Sequence, residues 1–179
     1  DFRFNQIISE EMFMSGSVGI GLGVQNDILM PYMNNLTTDE QKERWLPKFV
    51  SGEYIGSMAM SEPAAGSDLA GIKTTARDDG DHWVVNGQKT FISNGLLSKL
   101  VLTAVKTDPS ARHKGISLLM VEDGMEGFTG GRKLDKIGQY SADTAELFFE
   151  DVRVPKENLV GELNRGFYHL VSNLPSERV

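Results

Sequence analysis

The chain has 179 residues, no cysteine and a formal net charge of −7. That length holds one domain or two small ones. The acidic balance argues against a nucleic-acid partner, and the missing cysteines exclude disulfides, thiol catalysis and cysteine-ligated metals. No apolar run reaches the ~18 residues of a membrane span, and the start, Asp1-Phe-Arg-Phe-Asn5, lacks the basic and then apolar pattern of a secretory leader. It also lacks an initiator methionine, and Glu177-Arg-Val179 falls inside a helical pattern, so both ends are expected to be cuts in a longer protein.

Residues 1–50 read as helical, because Phe4, Ile7, Ile8, Met12 and Phe13 recur at helical spacing. The run Gly19-Ile-Gly-Leu-Gly23 imitates a dinucleotide loop, but it lacks the spacing and a preceding strand. Close helix packing is the expected reason for its glycines. Thr37 with Glu40 predicts a capping box, and the helix after it is expected to stop near Pro47. Met12, Met14, Met30 and Met33 are expected to fill core.

From Tyr54 the period changes to that of strands. Thr74–Arg77 and Trp83–Asn86 flank Asp78-Asp-Gly-Asp81, a hairpin signal. Val101–Val105, Ile116–Val121 and Thr144–Phe149 are further strands, and their spacing suggests a small barrel or sandwich. From Glu162 the pattern is helical again, through Phe167, Leu170, Val171 and Leu174. The expected class is therefore α+β: N-terminal helices, a central antiparallel β-domain and the start of a further helix. The expected divisions are 1–50, 51–160 and 161–179.

Two stretches stand out, Met58-Ala-Met-Ser-Glu-Pro-Ala-Ala-Gly-Ser-Asp68 and Gly87-Gln-Lys-Thr-Phe-Ile-Ser-Asn-Gly95. Each is a strand-like run ending in small and hydroxyl residues, suited to lie against a flat ligand. Gly66 permits unusual backbone angles, Pro63 fixes its own, and Ser61, Ser67 and Ser93 can both donate and accept. With no lysine in the first turn, it is not a phosphate cradle.

These stretches resemble the flavin-binding strand pair of the acyl-CoA dehydrogenase family. Leu36-Thr-Thr-Asp-Glu-Gln-Lys-Glu-Arg-Trp-Leu-Pro47 resembles the family's helix before the β-domain. Asp143-Thr-Ala-Glu-Leu-Phe-Phe-Glu-Asp-Val-Arg-Val-Pro155 resembles its exit strand, and Gly166-Phe-Tyr through Glu177-Arg178 the start of its C-terminal helical domain. The resemblance implies FAD as cofactor and α,β-dehydrogenation of a fatty acyl-CoA to the trans-2-enoyl-CoA. Met58 to Ser67, with Met60 and Gly66, would line the isoalloxazine ring. Ser61 would bond its pyrimidine end, Ser93 would reach N5, and Phe91 would lie against the flavin. Ser67 would contact the acyl-CoA, and Ser110 would stand near the CoA nucleotide. Ala64 departs from the commoner glycine, a cost of about 1 kcal/mol if the position needs a positive φ. A serine-rich turn satisfying its own backbone is the plain alternative to such a site.

Dehydrogenation needs a general base for the proton α to the thioester, while the β-hydride goes to flavin N5. In the long-chain and isovaleryl branch the base precedes an arginine, and Leu174-Pro-Ser-Glu-Arg178 matches that arrangement. The resemblance thus makes Glu177 the base and Arg178 a CoA contact. Pro175 replaces an aspartate the family often has there. A first-turn glutamate complementing a helix dipole is the plain alternative for Glu177. Family members are usually homotetramers that pass electrons to an electron-transferring flavoprotein. The expected location is the cytoplasm of a bacterium, or the mitochondrial matrix of a eukaryote.

Elsewhere the chemistry is sparse. His82, His113 and His169 show no metal-ligand spacing, and Asp78, Asp79 and Asp81 fit a solvated turn better than a calcium loop. Two rivals remain: an acyl-CoA oxidase or flavin monooxygenase of the same fold, and a non-catalytic β-module.

Overall fold

A computed structural model describes residues 3–17 and 19–177. Helix α1 (Arg3–Met14) leads into a glycine loop, then a π-helical segment (Val24–Leu29) that runs on as α2 (Met30–Leu36), and then α3 (Asp39–Val50). Eight strands follow: β1 (Gly56–Ala59), β2 (Thr75–Asp79), β3 (His82–Ser93), β4 (Leu100–Lys106), β5 (Ile116–Glu122), β6 (Phe128–Lys133), β7 (Thr144–Pro155) and β8 (Leu159–Val160). Helix α4 (Gly166–Glu177) ends the described chain. The expected order of helices, β-domain and helix is present. The sheet is mixed rather than wholly antiparallel, because β4 takes both β1 and the start of β2 as parallel partners.

The strands lie in the order β6-β7-β3-β2-β4-β5-β8, with β1 also on β4. Strands β7 and β5 are four places apart in that order, yet Val152, Leu147, Leu119 and Val121 share one core with Trp83 and Val101. The sheet therefore curls around its own interior. Its outer face carries a second core, in which Leu100, Leu102, Leu118 and Met120 meet Tyr32 of α2, Trp45 and Phe49 of α3, and Leu170 of α4. Alternate residues of β4 and β5 serve opposite cores, as the two-residue period of a strand requires, so both strands are buried along nearly their whole length. Strand β6 escaped the sequence pattern because its Phe-Thr-Gly-Gly-Arg-Lys has one apolar residue and no alternation.

Two helix signals sit elsewhere than expected. The capping box uses Thr38 and Gln41, each accepting from the other's backbone N–H, at 3.3 and 3.0 Å. Thr37 is not the cap, because its hydroxyl donates to the Met33 carbonyl. Helix α3 also runs through Pro47. A proline there costs ~3 kcal/mol, but stopping would expose Phe49, which is buried with Trp45. Of the methionines, Met33 is core, Met30 packs against it, and Met14 is exposed.

The expected apolar stripe of α1 exists, but Phe4, Ile7, Phe13 and Met14 are exposed. The hairpin forms as expected, with Gly80 at φ +78° in its turn. Its aspartates face cations: Asp79 pairs with Arg153 at 2.7 Å and Asp78 with Lys156 at 2.7 Å.

On α4, His169 is partly buried and its Nε2 has no partner among the described residues. Desolvation, helped by the charge of Arg165, outweighs the attraction of Glu162 and lowers its pKa from the ordinary 6.5. As pH falls below 6.5, the unfolded chain takes up this proton before the folded one. Stability is therefore expected to fall as pH drops through that window, above the range of the carboxylates. Urea melts of wild type and His169→Gln between about pH 7 and about pH 5 test this. The variant should show the flatter profile, and parallel profiles would contradict the assignment.

Candidate functional site

The two serine-bearing stretches meet. Strand β1 continues through Met60 and Ser61 into a turn in which Glu62 and Ala65 exchange backbone hydrogen bonds at 2.8 and 3.1 Å. The Ser61 carbonyl accepts from the Thr90 N–H of β3 at 2.9 Å. Beneath that bond Lys89 Nζ donates to Glu62 Oε1 at 2.8 Å and to the Met60 carbonyl at 3.1 Å. The Glu62 carboxylate also accepts from the N–H groups of Lys73, at 2.6 Å, and Thr74, at 3.0 Å. The Lys89 side chain is fully buried and that of Glu62 is 4% exposed.

Burial pushes Lys89 down to about 8, against the pull of Glu62. Burial alone would raise Glu62, but the charge and hydrogen bond of Lys89, with the bonds from Thr74 and Lys73, leave it below the ordinary carboxylate value. Neither residue was singled out from the sequence. The signal was present: Lys89 has the same strand parity as Trp83 and Val85, which are buried, and a cation at an inward position needs an anion beside it.

Just past Lys89, strand β3 bulges. Lys89 pairs with Leu147 and Ile92 with Ala145, so two residues of β3 oppose one of β7. The second is Phe91, at φ +59° and 69% exposed. A bulky residue in that region is strained by roughly 1–3 kcal/mol. The bulge turns the ring outward beside Ser93, which is exposed at the strand's end.

The expected site residues divide. The hydroxyls of Ser61, Ser67 and Ser93 have no hydrogen-bond partner among the described residues, and Phe91, two residues before Ser93, is exposed. Met58 is buried in the helix-facing core and Met60 packs against it, so each has backbone rather than side chain to offer a ligand. Gly66 does not adopt a positive φ and has open space where a Cβ would stand, so the turn does not require its glycine. Nor does Ala64 have a positive φ, and it carries no such strain.

Asp108 caps a short 3-10 segment (Pro109–Gly115), its Oδ1 accepting from the Ser110 hydroxyl at 2.7 Å and from the Ser110 N–H at 3.0 Å. That segment packs against Leu69–Gly71, just after Ser67, and its His113 ring lies 5.2 Å from Phe167 of α4. The segment of Ser110 thus touches both the stretch after Ser67 and the start of α4. Glu177 is the last residue of α4, not in its first turn, which removes the helix-dipole alternative. Arg178 lies outside the described residues.

Gly19 and Gly21 of the glycine run have φ +89° and +74° and abut Ser141 and Asn94 of the β-domain rather than another helix. With Ile8 and Met12 of α1, Val24 and Gln139, they line a largely apolar cavity of about 340 Å³.

The residues present suit a flavin. They supply spare hydroxyls, an exposed ring on a strained bulge, and a strand edge held by an internal ion pair. The middle-domain model of the acyl-CoA dehydrogenases matches residues 57–152, more than half of the chain, and their N-terminal-domain model matches residues 1–53. The chain belongs to the acyl-CoA dehydrogenase family. It is 51% identical over its whole length to the mitochondrial long-chain specific acyl-CoA dehydrogenase of Mus musculus, and spans 42% of that protein. It is 41% identical over 97% of its length to the mitochondrial isovaleryl-CoA dehydrogenase of Pongo abelii, and spans 41% of it. The crystal structure of an acyl-CoA dehydrogenase from Geobacillus kaustophilus superposes with a TM-score of 0.96 at 54% identity, over 99% of this chain and 47% of that one. The curated relatives are mitochondrial proteins, which gives no support to the preference for a bacterial cytoplasm.

Removing one partner of a buried pair strands the other charge. Lys89→Met is expected to cost about 3–5 kcal/mol in chemical denaturation. Adding Glu62→Gln should recover part of that loss, since no lone buried charge then remains. A cost below about 1 kcal/mol would mean that water reaches the pair.

Proposed function

We propose that this chain carries the flavin face and acyl cavity of an FAD-dependent acyl-CoA dehydrogenase of the long-chain type. The enzyme would convert a fatty acyl-CoA to the trans-2-enoyl-CoA. The observation that supports this best is the lacing of the two serine-bearing stretches by Thr90, Lys89 and Glu62 into one edge. In this reading residues 1–50 end the N-terminal helical domain, 51–160 form the flavin-binding domain and 161–179 begin the C-terminal one.

Ser61 and Ser93 would hold the flavin ring by their hydroxyls, Met58, Met60 and Gly66 by backbone, and Phe91 by its exposed face. FAD, when bound, supplies the acceptor for the hydride that leaves the substrate's β-carbon. Glu177 takes the α-proton, made acidic by the adjoining thioester. An apolar acyl pocket raises a carboxylate's pKa and so its basicity. Ser67, Ser110 and Arg178 would meet the CoA portion. The acyl chain would enter the cavity between α1 and the glycine loop, whose lining is mostly apolar. We further infer a homotetramer that passes its electrons to an electron-transferring flavoprotein, in the mitochondrial matrix if the source is eukaryotic.

The test is an anaerobic visible spectrum of the holoenzyme before and after a long-chain acyl-CoA is added. A yellow protein that bleaches supports the reading, and one that stays yellow with every chain length refutes the substrate class. Glu177→Gln should keep its flavin and lose about 10²–10⁴-fold in kcat. Turnover within threefold of wild type would remove Glu177 from the role of base.

A further inference from the structure

We propose that Asn94 is a positioning residue that pegs the wall of the acyl cavity to the flavin-facing end of β3, so that chain-length preference is set partly at this joint. The proposal rests on the function proposed above, which puts an acyl chain in the cavity and FAD beside Ser93.

Asn94 directly follows Ser93 and is only 5% exposed. Its φ is +61°, a region that asparagine tolerates better than most residues. Its N–H donates to the Asp143 carbonyl at 2.9 Å, and its own carbonyl accepts from Ser98 at 2.9 Å. Its Nδ2 donates in two directions at 3.3 Å, to the carbonyl of Gly21 in the cavity wall and to that of Gly56 at the start of β1. One amide thus joins the glycine loop, the strand that leads to Ser61 and the strand that ends at Ser93.

The contact is also tight. A Cβ on Gly21 would stand 2.3 Å from Asn94 Oδ1, and one on Gly19 would stand 2.3 Å from Ser141 Oγ. The loop therefore cannot approach the β-domain further. The opposite side is anchored as well, since Asp143 Oδ2 accepts from Leu96 N–H at 2.6 Å and Leu97 N–H at 3.1 Å. A wall held this way keeps a fixed distance from the reacting edge. A long acyl chain that reaches the wall experiences that distance, and a short one does not.

The experiment measures kcat/KM of the holoenzyme over a series of saturated acyl-CoA lengths for Asn94→Gly, Gly21→Ala and the double variant. Glycine keeps the backbone freedom at position 94 and removes only the side chain. Each single variant is expected to lower the long-to-short ratio of kcat/KM about tenfold. The double variant should lower it about tenfold too, rather than a hundredfold, because the two changes break one contact. Should Gly21→Ala not accumulate, Asn94→Asp replaces it, keeping the shape but losing the donor, and must shift the same ratio. A loss equal at all lengths, independent multiplicative losses or an unmoved ratio would each overturn the proposal. A wild-type enzyme that oxidises no acyl-CoA would instead overturn the function on which it rests.

Discussion

The buried pair between Glu62 and Lys89 is the constraint on which the site depends. Two ions removed from water each lose several kcal/mol of solvation, and their attraction roughly returns it. The pair therefore adds little to net stability. What it fixes is alignment, because only one placement of the Met60–Ala65 turn against β3 brings Glu62 to Lys89 and to the N–H groups of Lys73 and Thr74. A slip of one residue would turn Lys89 to the opposite face and leave the carboxylate alone in the interior. The Thr90–Ser61 backbone bond follows from that alignment, and so do the positions of Ser61, Phe91 and Ser93.

The site is consequently more a property of backbone than of side chains. Met58 and Met60 spend their side chains on the core and leave their peptide groups at the edge. Phe91 shows the same division, since the bulge rather than its rotamer turns it outward. Strain at one residue persists there because the strand is held on both sides of it, by Lys89 below and by the Asn94–Asp143 contacts above.

The sequence made much of this legible, and the parts it hid share a cause. Strands with strong alternation or continuous apolar runs, such as β4 and β5, were readable, as was the hairpin at Gly80. The hydroxyl-rich stretches announced themselves by composition. Strand β6 was not readable, because two adjacent glycines replace the pattern: a Cβ at Gly131 would collide with Phe148 of β7, 2.7 Å away. The cap at Thr38 rather than Thr37 was decided by a competing acceptor one turn back, which local spacing cannot weigh. Glu62 with Lys89, and Gly21 with Asn94, are long-range partners whose meaning lies in the pairing. The glycine run was ambiguous for the same reason, since its neighbours are distant in sequence.

Strands β4 and β5 contribute alternate side chains to two cores, one enclosed by the curled sheet and one beneath the helices. Neither core can open while the other stays closed, because the same backbone forms a wall of both. The helical layer and the sheet are therefore a single cooperative unit across a boundary that the family models draw between residues 53 and 57. The amides of β4 and β5 should exchange with solvent only through global unfolding, whereas α1, joined to the π-helical segment by the Asn5–Asp27 hydrogen bond at 2.6 Å, contributes to neither core. Rigidity in this chain is thus graded by how many cores a segment serves, not by which domain it belongs to.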